Sequence, residues 1–210
     1  RSAANELRTL FPECKQIFKN PKPTFLIEHI LSFFDLSDSY VVDFFGGSST
    51  TAHTILDLNN RDDERRKFIL VQWQEECKPD SEAAKVGYKS IDQVGMERIK
   101  RAAKKIKEQN PLFAGDLGFK HYILEEPKED ALLQMEVFDP ISNYITPLTV
   151  DDFGKDTVLT TWLEADGYGL TSEAEEVKLG NYTAYWKDDH LYLINPDDDF
   201  DESSIVALMD

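Results

Sequence analysis

The stretch Tyr40-Val41-Val42-Asp43-Phe44-Phe45-Gly46-Gly47-Ser48-Ser49-Thr50-Thr51 decides the expected fold of this chain. An apolar run leads through an aspartate and two glycines into a cluster of hydroxyl side chains, and apolar residues at helical spacing follow. This order is typical of a buried parallel strand, a tight turn and the start of a helix. Glycines allow close approach to a ligand, and the free amides of a first helical turn attract anionic groups. We therefore predict an α/β fold with a ligand site beyond the end of this strand.

The residues of the turn argue against a phosphate loop. The phosphate-binding pattern needs a lysine at the start of the helix, whereas no Lys or Arg occurs between Val41 and Asn60. The dinucleotide pattern G-x-G-x-x-G is also missing. Asp43 favours a cationic group and the helix start favours a carboxylate, and S-adenosylmethionine carries both. A different nucleotide-binding α/β protein, with phosphate in the turn, is the alternative.

Four motifs in one order resemble those of the DNA amino-methyltransferases. Residues 43–51 resemble the family's cofactor motif D-P-F-x-G-S-G-T-T, and Asn20-Pro21-Lys22-Pro23 resembles its upstream partner motif. Residues 66–72 and 87–91 are similar in particular to the modification subunits of type III restriction systems. The resemblance implies a partial Rossmann-like fold of an S-adenosylmethionine-dependent methyltransferase over residues 1–110.

The resemblance also implies roles around the methionine end of the cofactor. Asp43 would bind the ammonium group, directly or through water. The upstream motif would line the same end with Lys22 and Pro23. The turn itself would contribute Phe45, and it would supply backbone donors from Gly46, Gly47 and Ser48. Two threonines, Thr50 and Thr51, would cap the helix and face the carboxylate of the cofactor. The alternative is that they cap the helix without contacting the cofactor.

The resemblance implies that the segment after the second strand contacts the ribose and the adenine. Gln72 stands where the family carries an acid for the ribose hydroxyls, and Glu75 is the alternative ribose partner. Trp73 would face the adenine, the alternative being a core tryptophan.

Ser49 stands where the family usually has glycine. A positive φ at that position would cost a serine about 1 kcal/mol, which would weaken cofactor binding.

Charge is distributed unevenly along the chain. Residues 1–110 contain 18 basic and 17 acidic side chains, whereas residues 111–210 contain 5 and 23. This break predicts a domain boundary at Asn110-Pro111, followed by a small acidic α+β domain. Because acidic residues repel a phosphate backbone, this half should not read DNA. A docking surface for a partner subunit, such as the restriction subunit, is the non-enzymatic alternative.

Periodicity predicts the remaining elements. Residues 91–109 form a helix, whose basic positions (Arg98, Lys100, Arg101, Lys104, Lys105 and Lys107) make a solvated or docked face rather than a DNA stripe. An upstream helix starts with the cap Thr24 and buries apolar residues, namely Leu26, Ile27, Ile30, Leu31, Phe33 and Phe34. Helices are also expected at 157–165 and 203–209, strands at 68–71 and 119–124, and a hairpin at 182–187 and 190–194. Residues 59–67 and 78–90 are expected to be loops.

The motif [D/N]-P-P-[Y/F/W], which holds a flipped base in amino-methyltransferases, is absent. Each candidate has a single proline, at Asn20, Asn110, Asp139 and Asn195. The resembled arrangement places it before Lys22, and the chain starts with Arg rather than Met. We therefore expect a fragment without catalytic residues that is inactive alone, with DNA bound by the missing N-terminal part. Adenine N6 rather than cytosine N4 as the target rests on the resemblance.

The partial sheet leaves the strand at residues 40–45 with an unpaired edge, so a second polypeptide, such as the other subunit of a homodimer, should cover it. No apolar run approaches eighteen residues and no signal peptide is apparent, which predicts a cytoplasmic protein without a membrane partner. Cys14 and Cys77 lack partners at metal spacing. We expect two reduced thiols and no metal site.

Overall fold

The computed structural model describes residues 2–124, 154–194 and 200–209, which belong to two compact units, Arg1–Phe119 and Lys120–Asp210. The elements of the first unit are α1 (Ala3–Leu10), α2 (Thr24–Leu31), β1 (Tyr40–Asp43), α3 (Thr50–Asp62), β2 (Lys67–Leu70), α4 (Glu82–Lys85) and α5 (Ile91–Gln109). Those of the second are α6 (Lys155–Ala165), β3 (Glu175–Leu179), β4 (Tyr182–Lys187), β5 (His190–Tyr192) and α7 (Glu202–Met209).

The first unit is built on a strand–helix–strand crossover. β1 and β2 pair in parallel, with Val41 opposite Phe68 and Asp43 opposite Leu70. Parallel strands need a long connection, and here α3 provides it. This arrangement confirms the predicted α/β class, and the membership of these strands in a larger Rossmann-like sheet stays a prediction.

The two strands are covered on one face. Side chains alternate across a strand, and Phe68 and Leu70 pack against the cluster that α3 and α5 form from Ala52, Leu56, Ile99, Ala102 and Ile106. Tyr40 and Val42 on the other face are exposed. The free edge of β1 has no partner strand among the described residues. The expected covering polypeptide stays a prediction.

The burial predicted for α2 is wrong. Helix α2 packs against α3, but none of its residues is buried, and Phe33 beyond its end is 72% exposed. The reason is that no other element among the described residues covers its apolar side. The predicted cap is also wrong, because Thr24 is already helical and Pro23 occupies the N-cap position.

Two predicted loops contain helix. Helix α3 extends to Asp62 and ends where Asp63 takes a left-handed conformation and donates its amide to the Asn59 carbonyl. The Asn59 side chain supports this end because it pairs with both backbone groups of Arg66, at 2.8 and 3.2 Å. The short helix α4 starts at Ser81, whose hydroxyl accepts a hydrogen bond from the Ala84 amide at 3.2 Å.

Helix α5 has the predicted bounds, but its basic residues do not share one environment. Arg98 is 0% exposed. Arg101 is half-buried and holds the end of α1, since it pairs with Glu13 at 2.7 Å and donates to the Leu10 carbonyl at 2.8 Å. The prediction of a single solvated basic face is therefore wrong for these two positions.

The segment after α5 belongs to the packing of the first unit. Phe113, Leu117 and Phe119 contact the cluster between α3 and α5. The compact unit thus reaches Phe119, and the predicted domain boundary at residue 110 stays a prediction. Residues 119–124 form no strand, so that prediction is wrong; instead Lys120 donates through its side chain to the Ser172 carbonyl at 2.8 Å.

The second unit contains the predicted hairpin. β4 and β5 are antiparallel, and Asp188 between them has a φ of 50°. β3 pairs with the other edge of β4 and was not predicted. Both helices, α6 and α7, are confirmed. Its core contains Leu179, Tyr182 and Ala184. Asp139-Pro140 and Asn195-Pro196 lie outside the described residues.

Candidate functional site

The turn between β1 and α3 lies against the end of β2. The Gly46 amide donates to the Val71 carbonyl at 3.0 Å, which continues the strand pairing into the turn. A Cβ added at Gly46 would stand 3.3 Å from the Leu70 Cβ, and Gly47 has a φ of 51°. Close approach to β2 and a left-handed backbone therefore explain the two glycines.

Ser49 has the left-handed conformation that the family position suggested, with a φ of 55° and a ψ of 41°. For a serine this conformation costs about 1 kcal/mol. Helix α5 makes room for the buried side chain, because a Cβ added at Gly95 would lie 2.5 Å from Ser49 Oγ and 3.0 Å from the Gly47 oxygen. Gly95 was not predicted as a site residue, although a glycine inside a helix signals close packing.

Asp43 organises the turn from the end of β1. One carboxylate oxygen accepts the Phe45 amide at 3.0 Å, and the other accepts the Thr51 hydroxyl at 2.6 Å. Each carboxylate oxygen has a second lone pair. Asp43 therefore holds the helix start in place and keeps acceptor capacity for a ligand.

Thr50 joins the turn to the upstream motif. Its hydroxyl donates to the Lys22 carbonyl at 3.1 Å and accepts a hydrogen bond from Arg98 at 2.6 Å. Neither Thr50 nor Thr51 caps α3, because Ser49 is the N-cap residue and makes no side-chain cap bond. The predicted capping role is thus wrong for both threonine side chains, and their predicted contact with the cofactor carboxylate stays a prediction.

The segment after β2 is also brought to the turn. Gln72 accepts the Gly47 amide through its side-chain oxygen at 2.6 Å. Trp73 is 85% exposed, so it is not a core tryptophan, and Phe45 is 89% exposed. Among the described residues no contact joins the Glu75 side chain to the turn; its backbone carbonyl accepts the Ile91 amide at 2.9 Å.

Arg98 contacts the turn, although it was predicted to lie on the solvated or docked basic face of α5. Its Nη1 donates to the Ser48 carbonyl at 3.2 Å, to the Ser48 hydroxyl at 3.1 Å and to Thr50. Its Nε donates to His53 Nδ1 at 3.3 Å. The available signal was its position in the apolar series of α5, four residues from Val94 and from Ala102, which share the buried face.

Burial determines the charges of this pair. Desolvation lowers the pKa of Arg98 to about 10, with Glu6 and Asp57 opposing the shift, so the guanidinium stays charged at neutral pH. Desolvation, together with Arg98 and Lys105, lowers the pKa of His53 to about 3. His53 is therefore neutral and can accept the Arg98 proton donor at Nδ1.

Other kinds of site find no support among the described residues. They contain no cluster of three or more His, Cys, Asp or Glu side chains placed to hold a metal ion. Cys14 and Cys77 are free thiols. None of the described helices combines the length and apolar character that a membrane span requires. Within the described ranges, the residues of the cofactor motif lie in the Asp43–Thr51 turn.

The DNA methylase family model matches residues 2–108, which include the turn, the Lys22 segment and Arg98. This chain belongs to the DNA methylase family. A second model, described as the Type III R-M EcoP15I C-terminal domain, matches residues 153–210. The suspected resemblance is therefore confirmed in both halves of the chain.

Three curated relatives match almost the whole of this chain. The chain is 40% identical to the type III restriction-modification enzyme EcoP15I Mod subunit of Escherichia coli, over 100% of this chain and 31% of the relative. It is 34% identical to the StyLTI Mod subunit of Salmonella typhimurium, over 93% of this chain and 34% of the relative. The EcoPI Mod subunit of Escherichia phage P1 is 34% identical over 99% and 31%. The chain spans about a third of the length of these relatives.

Proposed function

We propose that the first unit binds S-adenosylmethionine and that the chain is the cofactor-binding part of a site-specific DNA adenine-N6 methyltransferase of a type III restriction-modification system. One observation carries the proposal. The Asp43–Thr51 turn is hydrogen-bonded directly to the Lys22 carbonyl on one side and to the Gln72 side chain on the other. All three segments named by the cofactor motifs therefore meet at one place.

The donors and acceptors of this place match the chemistry of the cofactor. The ammonium group would bind Asp43, and the carboxylate would bind the amides at the start of α3, where the helix dipole favours an anion. Lys22 and Pro23 would line the same end. Gly46 and Gly47 already donate their amides to Val71 and Gln72, so a cofactor would have to compete for two of the three predicted backbone donors.

The nucleoside end would bind the segment after β2. Trp73 and Phe45 expose apolar ring faces, and Trp73 would cover the adenine. The ribose hydroxyls would compete with Gly47 for the Gln72 amide, because Gln72 already accepts the Gly47 proton. Glu75 remains the alternative ribose partner. When bound, S-adenosylmethionine supplies the methyl group that is transferred to an amino nitrogen.

We propose that this chain does not methylate DNA alone. The base-binding motif [D/N]-P-P-[Y/F/W] does not occur in the sequence, and the Mod relatives are about three times as long as the matched region. DNA and target base would be bound by the rest of a longer subunit. Cytosine N4 is the alternative target, because the base-binding motif that would decide between the two targets does not occur in this sequence.

The proposed partners follow from the same relatives. A Mod subunit would act with a restriction subunit, and a second Mod copy or the rest of the subunit would cover the exposed strand β1. The acidic second unit is the proposed docking surface for the restriction subunit, in the cytoplasm. Co-purification of the restriction subunit with a chain lacking residues 120–210 would contradict this role.

Thermal unfolding with three ligands tests the proposal. At about 100 times its dissociation constant, a ligand stabilises by about 2.7 kcal/mol, which raises the melting temperature of a chain of this size by roughly 5–11 °C. We expect this shift with S-adenosylmethionine and none with ATP or NAD. A Trp73→Ala variant should lose most of the shift while keeping its melting temperature, because Trp73 is exposed. An equal shift with ATP, or none with S-adenosylmethionine, would refute the assignment.

A further inference from the structure

Arg98 is a buried charge that the proposed cofactor chemistry does not use. Its side chain is completely enclosed. Burying a guanidinium is costly unless its donors are paired, and α5 could fill this position of its apolar face with an aliphatic residue at no such cost. The contacts of the guanidinium therefore indicate the role of this buried charge.

Nη1 of Arg98 holds both sides of Ser49. It donates to the Ser48 carbonyl and hydroxyl on one side and to the Thr50 hydroxyl on the other. Ser49, between them, has the unfavourable left-handed backbone. A planar guanidinium with fixed donor directions can restrain such a turn, so these bonds stabilise a conformation that a serine resists.

The restraint continues to the upstream motif. Thr50 accepts from Arg98 and donates to the Lys22 carbonyl. The second terminal nitrogen, Nη2, lies 4.0 Å from Glu6, whose carboxylate accepts the Thr24 amide at 3.0 Å. Arg98 therefore faces both the turn and the α2 start, the two segments that flank the methionine end in the proposed site.

His53 completes the set of groups around Arg98. It lies one turn into α3, and its Nδ1 accepts the Arg98 Nε proton at 3.3 Å. This bond needs a neutral imidazole, and the burial that lowers the pKa of His53 keeps it neutral. Arg98 is thus held on the α3 side by His53, whereas Nη2 faces Glu6 across 4.0 Å without a hydrogen-bond partner among the described residues.

We propose that Arg98 is a positioning residue for S-adenosylmethionine binding: it sets the Ser48–Thr50 backbone against the Lys22 segment without contacting the cofactor. This inference rests on the proposed function. It separates two roles for Arg98. A residue that only fills the core would affect stability alone, whereas a positioning residue also affects the order of the turn and the affinity.

The test compares Arg98→Met with Ile106→Ala in the full 210-residue chain. Ile106 lies on the same buried face of α5, two turns further along, in the core cluster with Ala52 and Leu56. Its truncation destabilises the same unit without contact to the turn. Both variants are studied at a temperature at which each is folded, by calorimetric titration with S-adenosylmethionine and by amide hydrogen exchange without ligand.

We expect Arg98→Met to lower the affinity for S-adenosylmethionine at least about ten-fold, equivalent to about 1.4 kcal/mol. Hydrogen exchange of amides 48–52 should become faster by a similar factor. Ile106→Ala should keep its affinity within about two-fold and leave the exchange of these amides at the rate set by its global stability. Arg98→Lys, which keeps the charge and can still bond Ser48 and Thr50 but not His53 as well, should recover part of both losses. It also serves as the test if Arg98→Met does not fold.

Equal affinity and equal turn exchange in Arg98→Met and Ile106→Ala would overturn the inference and leave Arg98 a core residue. The failure of the proposed function would look different. If the unmodified chain does not bind S-adenosylmethionine, the affinity role falls with the proposed function. Exchange at amides 48–52 then decides separately whether Arg98 orders the turn.

Discussion

Gly95 provides the sharpest test of how closely α5 packs on the turn. Replacing it with alanine adds one methyl group to the side of the helix that faces Ser49. The new Cβ would stand 2.5 Å from Ser49 Oγ and 3.0 Å from the Gly47 oxygen. The first atom can rotate away, whereas the second belongs to the backbone of the turn and must shift by a few tenths of an ångström.

Two opposing terms determine the magnitude. Alanine is favoured over glycine inside a helix by about 1 kcal/mol. Overpacking of a close contact costs about 1–3 kcal/mol. We therefore expect Gly95→Ala to destabilise the first unit by up to about 2 kcal/mol. We also expect weaker S-adenosylmethionine binding, because the shifted carbonyl lies within the proposed site.

A double-mutant cycle with Ser49→Ala isolates the contact. Removing Oγ eliminates the shorter of the two contacts and leaves the left-handed backbone as it is. We expect Ser49→Ala to be less destabilising in the Gly95→Ala background than in the unmodified chain, with a coupling of about 1 kcal/mol. Because the chain has two units, the free energy is best measured by native-state exchange of slow amides in α3 and α5.

Additive effects of the two substitutions, within about 0.5 kcal/mol, would contradict the close contact, since atoms 2.5 Å apart cannot be independent. A stabilisation of Gly95→Ala by the full helix-propensity term would mean that α5 lies further from the turn than the structure shows.

Of three further predictions, one concerns a titration and two concern single hydrogen bonds. His53 has a folded pKa of about 3, below its unfolded value, so its contribution is complete above pH 6.5 and is lost as pH falls toward 3; His53→Gln should reduce the stability lost between pH 7 and 5 by about 2 kcal/mol, and an unchanged pH profile would contradict its burial as a neutral ring. Thr51→Val removes the 2.6 Å bond to Asp43 and should lower the free energy of unfolding of the first unit by about 1–3 kcal/mol. Amide hydrogen exchange should show this loss in the first unit and no change in the second unit. Tyr192→Phe removes a 2.6 Å bond to Asp166 and should show the reverse pattern at about 1–2 kcal/mol; a loss of stability in the first unit as well would contradict a purely local effect of this bond.

Secondary structure was predictable where residues that are neighbours along the chain determine it. The apolar run around Val41, the glycine turn and the periodicity of residues 91–109 each act within one element. They led to β1, α3 and α5, and the alternation in the acidic half led to the hairpin. The family motifs placed Lys22, Asp43 and Gln72 in one site, and the structure brings all three segments together.

Two of the errors share a cause, because they concern which face of a helix is covered, whereas a third concerns an element that does not form. The apolar residues of α2 were predicted to be buried from their spacing, yet spacing does not supply a covering partner. The basic positions of α5 were treated as alike, although Arg98 shares a face with Val94 and Ala102. A strand was expected at 119–124, where Phe119 packs on the first unit instead.

Sequence alone thus determined the local elements, because strand, turn and helix propensities act over a few residues, and the family motifs predicted which segments meet at the turn. Tertiary structure decided the partners. Arg98 meets Ser48 across fifty positions, and Gly47 meets Gln72 across twenty-five. Such contacts depend on how the crossover places α5 and β2 against the turn, and no local pattern contains that information.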